Sequence, residues 1–409
     1  MKQRFSIFTK KNFKIIESGI YEILEKLGFL CFSDNANKIL KFHGSRVSEF
    51  LVKIPESIAS PFLAQSKIMP VQKQRTILGY AENLQDISKH SFQLATPEDS
   101  KKIINLAHSM KQIDVICAAV KSSEIPLLEQ AMHDYIRCFE NSSKPFCCTT
   151  QYPNSLQEVF STAQNHGHDI SEKIVGVLDT PTILRLEENQ IKILDTYIEN
   201  NCTIFLKVPC LFNSPLDFPH AMALTLAHYL SIYIYLQWNN FQMPLILQLA
   251  EFPETPTKQG YSESVLSFFQ YENALYEICQ HFHIPLALPV LPIHDIDFLD
   301  GYIAGLQHMF LLHSNVVAIT GIGKVSPFDF SIQNLFLENE FFEYLRQIPQ
   351  IGTFPEQKMD WDNFLEEFYP HEIPGSTWQS NVFRYDVLNL WRNERTTLQE
   401  RLAKKIATL

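Results

Sequence analysis

The sequence is short of glycine and of charged residues. Only 13 of its 409 residues are glycine, and neither GxGxxG nor the phosphate-binding pattern GxxxxGK[ST] occurs. Both patterns need glycine where the backbone approaches a phosphate group, so their absence argues against a bound nucleotide. Charged residues make up 19% of the chain, and the formal net charge is -11. This acidic balance disfavours nucleic acid and anionic membranes as partners, whereas it is compatible with a cationic small molecule.

Paired cysteines of the CxxC type are also missing. The 8 cysteines are scattered, several inside apolar runs such as IDVICAAV, so neither a zinc ribbon nor a thioredoxin-like motif is expected. Buried thiols of this kind are typical of a reducing compartment. The basic N-terminus MKQRFSIFTKKNFK lacks the apolar region of a secretory signal, so we expect a cytoplasmic protein. The apolar stretch 221–238 contains His228, Ser231 and Gln237, which favours a buried core helix over a membrane span.

What the chain does have is a regular alternation of short apolar runs and helical patterns. Strict alternation indicates a parallel sheet with helices outside it, and eight such units over roughly 270 residues fit a (β/α)8 TIM-type barrel. We therefore predict a barrel over 71–348, a helical N-terminal extension over 1–70 and a helical C-terminal tail over 349–409, both packed on the barrel. A doubly wound open sheet is the alternative fold. The predicted strands are 113–120, 144–150, 173–179, 202–209, 244–250, 284–290, 315–321 and, with a weaker pattern, 75–81.

Polar side chains collect where these predicted strands end, which is where TIM-barrel active sites lie. Lys207 is the only cation among them, and the series ends at Thr320 and Gly321. No metal site is predicted, because the pairs His166/His168 and His281/His283 have no further ligands at usable spacing. The candidate catalytic residues are His294 and Asp295, and the candidate substrate-binding residues are Gln151, Tyr152, Asp179, Gln248, Glu251, Asp297 and Thr320.

Two of these positions carry the functional interpretation. Glu251 directly follows the buried run PLILQLA and precedes a loop, so its carboxylate could hold a cation, with Tyr152 offering an aromatic face to a quaternary ammonium group. His294 lies beside Asp295, which could fix the tautomer of the imidazole for acid–base work. The structural alternative is that Asp295 caps the following helix and Asp297 lies in its first turn, where the helix dipole favours negative charge.

Several segments resemble those of the trimethylamine methyltransferase superfamily, in order and pattern, over most of residues 12–395. The most specific is ATPEDSKKIINLAHSMKQIDVI. Others are IIESGIYEILEKLGF, VKIPESIASPFLAQS, DGYIAGLQHMFLLHSNVVAITGIG, NLFLENEFFEYLRQI and IPGSTWQSNVFRYDVLNLW. The chain departs from the family where LPVLPIHDID replaces a glycine-rich segment and NSPLDFPHA replaces a glycine-containing turn.

This resemblance implies a (β/α)8 barrel and membership of the part of the superfamily whose proteins lack pyrrolysine. It also implies transfer of a methyl group from a tertiary or quaternary N-methylated amine to the Co(I) of a separate corrinoid protein, with no tightly bound cofactor in this chain. Because LPVLPIHDID corresponds to the family's glycine-rich segment, the resemblance also implies that His294, Asp295 and Asp297 fall in the family's substrate-binding region. Two alternatives stay open: a non-catalytic barrel that binds a small molecule or a partner, and a corrinoid-independent lyase or hydrolase. The sequence also leaves a homo-oligomer open.

Overall fold

The computed structural model describes residues 7–65, 74–86, 91–212, 214, 216–251, 261–291, 298–326 and 328–347. Within these ranges, short strands alternate with longer helices. The strands are β1 (Phe29–Cys31), β2 (Arg46–Ser48), β3 (Leu51–Lys53), β4 (Arg75–Leu78), β5 (Asn83–Asp86), β6 (Ser91–Leu94), β7 (Phe146–Thr149), β8 (Ile174–Asp179), β9 (Arg185–Leu186), β10 (Thr203–Val208), β11 (Leu245–Leu249), β12 (Leu286–Pro289), β13 (Ala318–Ile322) and β14 (Asp329–Phe330). The helices are α1 (Lys10–Glu22), α2 (Asp34–Phe42), α3 (Glu56–Gln65), α4 (Pro97–Ser109), α5 (Leu127–Asn141), α6 (Pro153–Asn165), α7 (Ile170–Lys173), α8 (Glu188–Glu199), α9 (Phe218–Trp238), α10 (Tyr261–Phe282), α11 (Phe298–His313) and α12 (Ile332–Gln347).

Seven strands form one parallel sheet in the order β4-β13-β12-β11-β10-β8-β7. The segment 113–120 closes this sheet into a ring. Ile77 pairs with Val115 on one side, and Ile116 pairs with Phe146 on the other, both in parallel. Ala119 has a φ of 61°, which interrupts the extended conformation, so the segment forms isolated bridges and not a regular strand. The (β/α)8 barrel prediction is therefore confirmed, and the open-sheet alternative is excluded.

The barrel interior follows from the two-residue periodicity of its strands. Alternate residues of each strand point inward, and those of the lower layers are apolar, as in Val175 and Val177 of β8, Phe205 of β10 and Ile246 of β11. These side chains are buried together and fill the barrel below its mouth. The next inward positions along the same strands are polar, so the chemistry of the interior changes at the C-terminal ends of the strands.

Helix α9 is apolar on all sides, and other elements cover it on all sides, so its apolar surface is buried. It lies against the barrel, and the N-terminal helices α1, α2 and α3 pack on its outer surface. Gly19 of α1 allows a close approach, since a Cβ there would lie 3.1 Å from the Cβ of Ala223. The prediction of a buried core helix is confirmed for this segment. Among the helices that the structure describes, none is long and apolar enough to cross a membrane.

The N-terminal region contains strands as well as the predicted helices. Strands β2, β3 and β1 form a small sheet, which β9 extends in parallel to β1 and so links to the barrel. Helix α1 continues as a π-helical turn and ends at Gly28 with a φ of 77°. A Cβ at this position would lie 2.3 Å from the carbonyl oxygen of Val52, so only glycine fits. Three-residue strands leave no detectable periodicity, which is why the sequence suggested helices alone.

A second small sheet lies at the mouth of the barrel. Strand β5, which follows β4, pairs with β6 and with β14, and β14 follows β13. The Asn83 side chain donates a 3.0 Å hydrogen bond to Asp329 and ties the two loops together. This sheet therefore fixes the segments that follow the first and last barrel strands. The C-terminal tail predicted over 349–409 lies outside the described residues.

Candidate functional site

A cavity of about 400 Å³ opens at the C-terminal ends of the barrel strands. Its walls come from the ends of β4, β7, β8, β10, β11 and β13, from the segment 113–120 and from α5. His294, Asp295 and Asp297, the other residues predicted for the site, fall in 292–297, outside the described residues. The remaining predicted residues all line this cavity: Gln151, Tyr152, Asp179, Gln248, Glu251 and Thr320.

The register of the central strands explains why these side chains meet. Lys207 of β10 is paired with Asp179 of β8 on one side and with Gln248 of β11 on the other. Each stands two residues beyond an inward-facing apolar residue, so all three face the interior. Parallel strands end at the same edge of the sheet, and the three positions therefore form one polar row above the apolar filling.

The electrostatic centre of the cavity is a cluster of two lysines and one carboxylate. Lys207 Nζ lies 2.7 Å from Glu251 Oε2, and Lys324 Nζ lies 3.4 Å from Glu251 Oε1. The Glu251 side chain is only 16% exposed. Burial by itself raises the pKa of a carboxyl group, but Lys207 and Lys324 hold the pKa of Glu251 well below its usual range. Glu251 is thus an anion at neutral pH, and its two oxygens already have cationic partners.

The two lysines of this cluster are not equivalent. Burial lowers the pKa of Lys207, but the negative charges of Glu251 and Asp179 outweigh it and raise the pKa above the ordinary lysine value. The Lys324 side chain is more deeply buried, at 5% exposure against 24% for Lys207. Burial lowers the pKa of Lys324 below its ordinary value, assisted by the charge of Lys207 and only partly offset by Glu251. Lys324 is therefore the amine that loses its proton more easily.

A tight turn after β13 directs Lys324 into the cavity. Gly321 and Gly323 have φ angles of 83° and 89°, which favour glycine. The Asn334 side chain of α12 donates a 2.8 Å hydrogen bond to the Lys324 carbonyl oxygen. A Cβ at position 79 would lie 2.4 Å from Lys324 Cγ, so Gly79 leaves the space that the lysine stem occupies.

A buried carboxyl group that does not line the cavity supports this turn. The backbone N–H of Gly323 donates to Glu338 of α12, which is fully buried. Burial raises the pKa of Glu338 to about 8, against the smaller effect of its hydrogen bonds. Burial also lowers the pKa of the neighbouring His308 to about 4. Near neutral pH both groups are therefore mainly uncharged, and they contribute packing and hydrogen bonding to the turn, not charge.

Asp179 differs from Glu251 in having no ion pair among the described residues. Its side chain is exposed to the cavity at the end of β8. Partial burial by the cavity walls raises the pKa of Asp179; Lys207 lowers it and Glu251 raises it, and the net result is a raised pKa. The backbone next to it is firmly held. Thr180 donates to the carbonyl oxygen of Lys207 from both its N–H (3.0 Å) and its hydroxyl (2.8 Å), and His228 in turn contacts the Thr180 hydroxyl at 3.0 Å.

Further polar and aromatic groups complete the cavity wall. The Thr320 hydroxyl is buried and has no hydrogen-bond partner among the described residues, and Gln248 is only 8% exposed. Buried polar groups without partners are uncommon in folded proteins, so a ligand or water that satisfies Thr320 fits the site. Tyr80, Tyr152 and Phe328 contribute aromatic rings to the wall.

The expectation that Lys207 is the only cation at the strand ends is wrong. Lys324 and Lys121 also line the cavity, and Lys121 lies 3.7 Å from Glu82 at the rim. The lining thus contains three lysines and the three acids Glu82, Asp179 and Glu251. Lys324 was missed because the candidate series ended at Gly321. The signal was the Gly-Ile-Gly-Lys sequence, in which two glycines let the chain turn back towards the barrel axis.

Over the part of the chain that the structure describes, no group of three or more His, Cys, Asp or Glu side chains could hold a metal ion. No protein-family model matches the sequence, and no curated protein matches it either.

Solved structures do share the fold. The hydroxylamine complex of MtmB matches with a TM-score of 0.51 and 11% sequence identity, covering 85% of this chain and 76% of that chain. The Methanosarcina barkeri monomethylamine methyltransferase MtmB matches with a TM-score of 0.51 and 11% identity, covering 83% of this chain and 74% of that chain. At this identity, the likeness shows a common barrel fold and nothing about the reaction.

Proposed function

We propose that this chain is a group-transfer enzyme that takes a methyl group from a small tertiary or quaternary N-methylated amine and passes it to the corrinoid of a separate protein. The observation that carries the proposal is Asp179, a carboxylate that lines the mouth cavity and has no ion pair among the described residues. The resemblance in sequence supports the same reaction class, and the chain shares its barrel fold with a monomethylamine methyltransferase.

Asp179, and not Glu251, is the carboxylate available to a cationic substrate. Glu251 has a lysine on each oxygen, so a substrate cation would have to displace an ammonium group from it. Asp179 faces the same cavity and makes no ion pair among the described residues. Burial disfavours its charged form, and a cation bound beside it would stabilise that form. The earlier interpretation of Glu251 as the cation-binding residue therefore moves to its neighbour two strands away.

The aromatic groups of the wall suit an N-methylated head group. Methyl groups on a quaternary nitrogen spread its positive charge over an apolar surface, which aromatic faces attract. Tyr152 belongs to the strand end next to Asp179, and Tyr80 and Phe328 line the cavity as well. A tertiary or quaternary amine would thus contact both a carboxylate and aromatic rings, whereas the lysines would repel it from the Glu251 side.

The lysine–carboxylate cluster has a positioning role in this reaction. Lys207 is held at its carbonyl by Thr180, and its ammonium group is held by Glu251, so the polar row is rigid. A fixed row keeps the substrate in one orientation, which is how a site of this kind lowers a transfer barrier.

In this proposal, the rim of the cavity is the surface that would contact a corrinoid carried by a partner protein. When it is bound, the corrinoid supplies a Co(I) nucleophile that accepts the methyl group. Leu127 and Phe328 line the cavity and are 51% and 54% exposed. Exposed apolar side chains around a mouth are typical of an interaction site, and these two would contact the macrocycle.

The test combines binding with transfer. Thermal unfolding is measured with trimethylamine, glycine betaine, choline and carnitine, for the wild type, for Asp179→Asn and for the control Glu188→Gln on the outer surface of α8. A ligand that binds only the folded protein stabilises it by about 2.7 kcal/mol at 100 times its Kd. We expect a stabilising ligand for the wild type and the control, but not for Asp179→Asn. The same ligand should then methylate free cob(I)alamin in the presence of the wild type, followed by absorbance.

Each negative result has its own meaning. Equal stabilisation of the wild type and Asp179→Asn would exclude Asp179 as the cation-binding residue. Binding without methylation of cob(I)alamin would argue for a binding protein or a corrinoid-independent enzyme. No stabilisation by any of the four amines would contradict the substrate class and favour the non-catalytic barrel.

A further inference from the structure

We propose that Lys324 forms a Schiff base with a small aldehyde or ketone bound in the mouth cavity, a carbonyl chemistry that is separate from methyl transfer. The proposal rests on the place of Lys324 in the molecule. It is a buried lysine on a glycine turn at the end of a barrel strand, within a cavity of about 400 Å³, beside a second lysine and a carboxylate. Amines become nucleophilic at neutral pH when a second cation and a low-polarity environment favour the unprotonated form.

The contacts favour Lys324 over Lys207 as the nucleophile. Lys207 makes the shorter ion pair with Glu251, at 2.7 Å, and has Asp179 as a second anionic neighbour. Lys324 approaches the other oxygen of Glu251 at the longer distance of 3.4 Å, with a side chain that is 5% exposed. The lowered pKa of Lys324, caused first by burial, agrees with this assignment. Lys324 is therefore the lysine of the pair that more readily supplies an unprotonated amine, and Lys207 is the one that more readily supplies an ammonium group.

The position of Lys324 is built into the fold. Its carbonyl oxygen accepts a hydrogen bond from Asn334, and its own N–H donates to the carbonyl oxygen of Gly321 at 3.0 Å. Gly79 leaves room for its stem, because any Cβ there would overlap with Lys324 Cγ. A surface lysine has no comparable arrangement at its backbone and stem, even where its ammonium group makes an ion pair, as Lys26 does with Glu22.

The reaction balances with groups present in the cavity. The lone pair of Lys324 Nζ forms a bond to the carbonyl carbon, and the π electrons of the carbonyl move to its oxygen. That oxygen gains one proton from the attacking nitrogen and one from the Lys207 ammonium group, and then leaves as water. The product is a protonated imine on Lys324, with Lys207 reprotonated from solvent. Glu251 remains an anion throughout and stabilises the positive imine nitrogen. No oxidant or reductant is needed.

The experiment traps the imine by reduction. The full chain is incubated at pH 6.5 with acetaldehyde and sodium cyanoborohydride, which converts each imine to a stable N-ethyl lysine, and the modified lysines are located by peptide mass spectrometry over time. At this pH an ordinary lysine is unprotonated to about one part in ten thousand. Despite its burial, Lys324 should react at least about tenfold faster than Lys26 and Lys192, whose side chains are 74% and 54% exposed. Equal or slower reaction of Lys324 would overturn the proposal.

Two variants at one position separate an activated amine from an accessible one. Lys207→Met removes the neighbouring positive charge and leaves Glu251 to Lys324 alone, so the pKa of Lys324 rises and its reaction at pH 6.5 slows by about tenfold or more. Lys207→Arg keeps the charge and should keep most of the rate. If reactivity reflected only space in the cavity, Lys207→Met would react faster than the wild type, and that result would contradict the proposal. The reaction contains neither corrinoid nor methylated amine, so its outcome is independent of the methyl-transfer test.

Discussion

Each end of the barrel contains a cavity lined by lysines, but the lysines of the two cavities bind different partners. At the N-terminal end, a cavity of about 480 Å³ is lined by Lys144 and Lys173. Lys144 Nζ donates to the carbonyl oxygens of Ala107 and Met110 at 2.7 and 2.6 Å, and Lys173 Nζ donates to that of Ser143 at 2.7 Å. At the C-terminal end, the cavity of about 400 Å³ has Lys207 and Lys324 on the carboxylate of Glu251.

The difference shows that the hydrogen-bonding or ion-pair partner of a lysine matters more than the cavity around it. A lysine that donates to the last carbonyl groups of a helix replaces hydrogen bonds that the helix cannot make for itself, which is a structural task. A lysine paired with a buried carboxylate is not needed for folding in the same way. Replacing such an ion pair by apolar side chains of similar volume is often neutral or stabilising, because the charges are costly to bury. The larger cavity therefore belongs to the scaffold, and the smaller one belongs to the candidate site.

The largest effect is expected when the carboxylate at the mouth is neutralised. Glu251→Gln leaves Lys207 and Lys324 side by side without a counter-charge, and breaking a buried ion pair in this way costs about 3–5 kcal/mol. We expect a loss of that size in the free energy of unfolding, measured by urea denaturation at pH 7. Glu140→Gln is the matched change in the other cavity, where Glu140 is exposed and makes no ion pair among the described residues, and it should stay within about 0.5 kcal/mol. Similar losses for both variants would mean that the two cavities are not distinct.

An intermediate effect is expected at the N-terminal cavity. Lys144→Met removes two hydrogen bonds to carbonyl groups at the end of α4, with an expected loss of about 1–3 kcal/mol. Lys173→Met removes one hydrogen bond, to the carbonyl oxygen of Ser143 at an exposed site, and should cost less.

Lys144 also makes the free energy of unfolding depend on pH, and this dependence distinguishes its cavity from the cavity at the mouth. Burial, only partly offset by Asp114, lowers its pKa from 10.5 to about 8. Between these two values the unfolded chain binds more protons than the folded chain, so the wild type should gain stability relative to Lys144→Met as pH rises through that window. Urea denaturation at pH 8 and pH 10 measures the difference. A relative loss of stability over this range would show that Lys144 is not destabilised as a cation.

The smallest effect on stability is expected for Asp179→Asn. Asp179 faces the same cavity as Glu251, but it makes no ion pair within the described residues and its pKa is raised, so the fold does not rely on its charge. The free energy of unfolding should stay within about 0.5 kcal/mol of the wild type, while the stabilisation by N-methylated amines disappears. A loss comparable with that of Glu251→Gln would make Asp179 a member of the ion cluster, and it would then not be available to a substrate.

Much of the fold could be predicted from the sequence, because the barrel repeats one simple pattern. Each predicted strand is part of the ring, including the weak candidate at 75–81, which forms β4. The prediction of an entirely helical N-terminal region was incomplete, since β1, β2 and β3 pair within it. Strands of three residues are stabilised by neighbours distant in the chain, such as β9, and carry no periodicity of their own.

The candidate site could be predicted in part for the same geometric reason. Parallel strands bring their C-terminal ends to one edge, so Gln151, Tyr152, Asp179, Gln248, Glu251 and Thr320 line one cavity. The roles of His294, Asp295 and Asp297, which lie outside the described residues, stay predictions.

The order of apolar runs and helical patterns by itself determined the barrel and the edge at which its polar residues gather, because both depend on local periodicity. Only the tertiary structure decided how the charges there are shared. Lys207, Glu251 and Lys324 come from three different strand ends, and their pairing depends on distances across the barrel and on a glycine turn held by Asn334. A sequence records which charges reach the mouth of the barrel, but Coulomb interactions are set by distance and burial, and those exist only once the chain is folded.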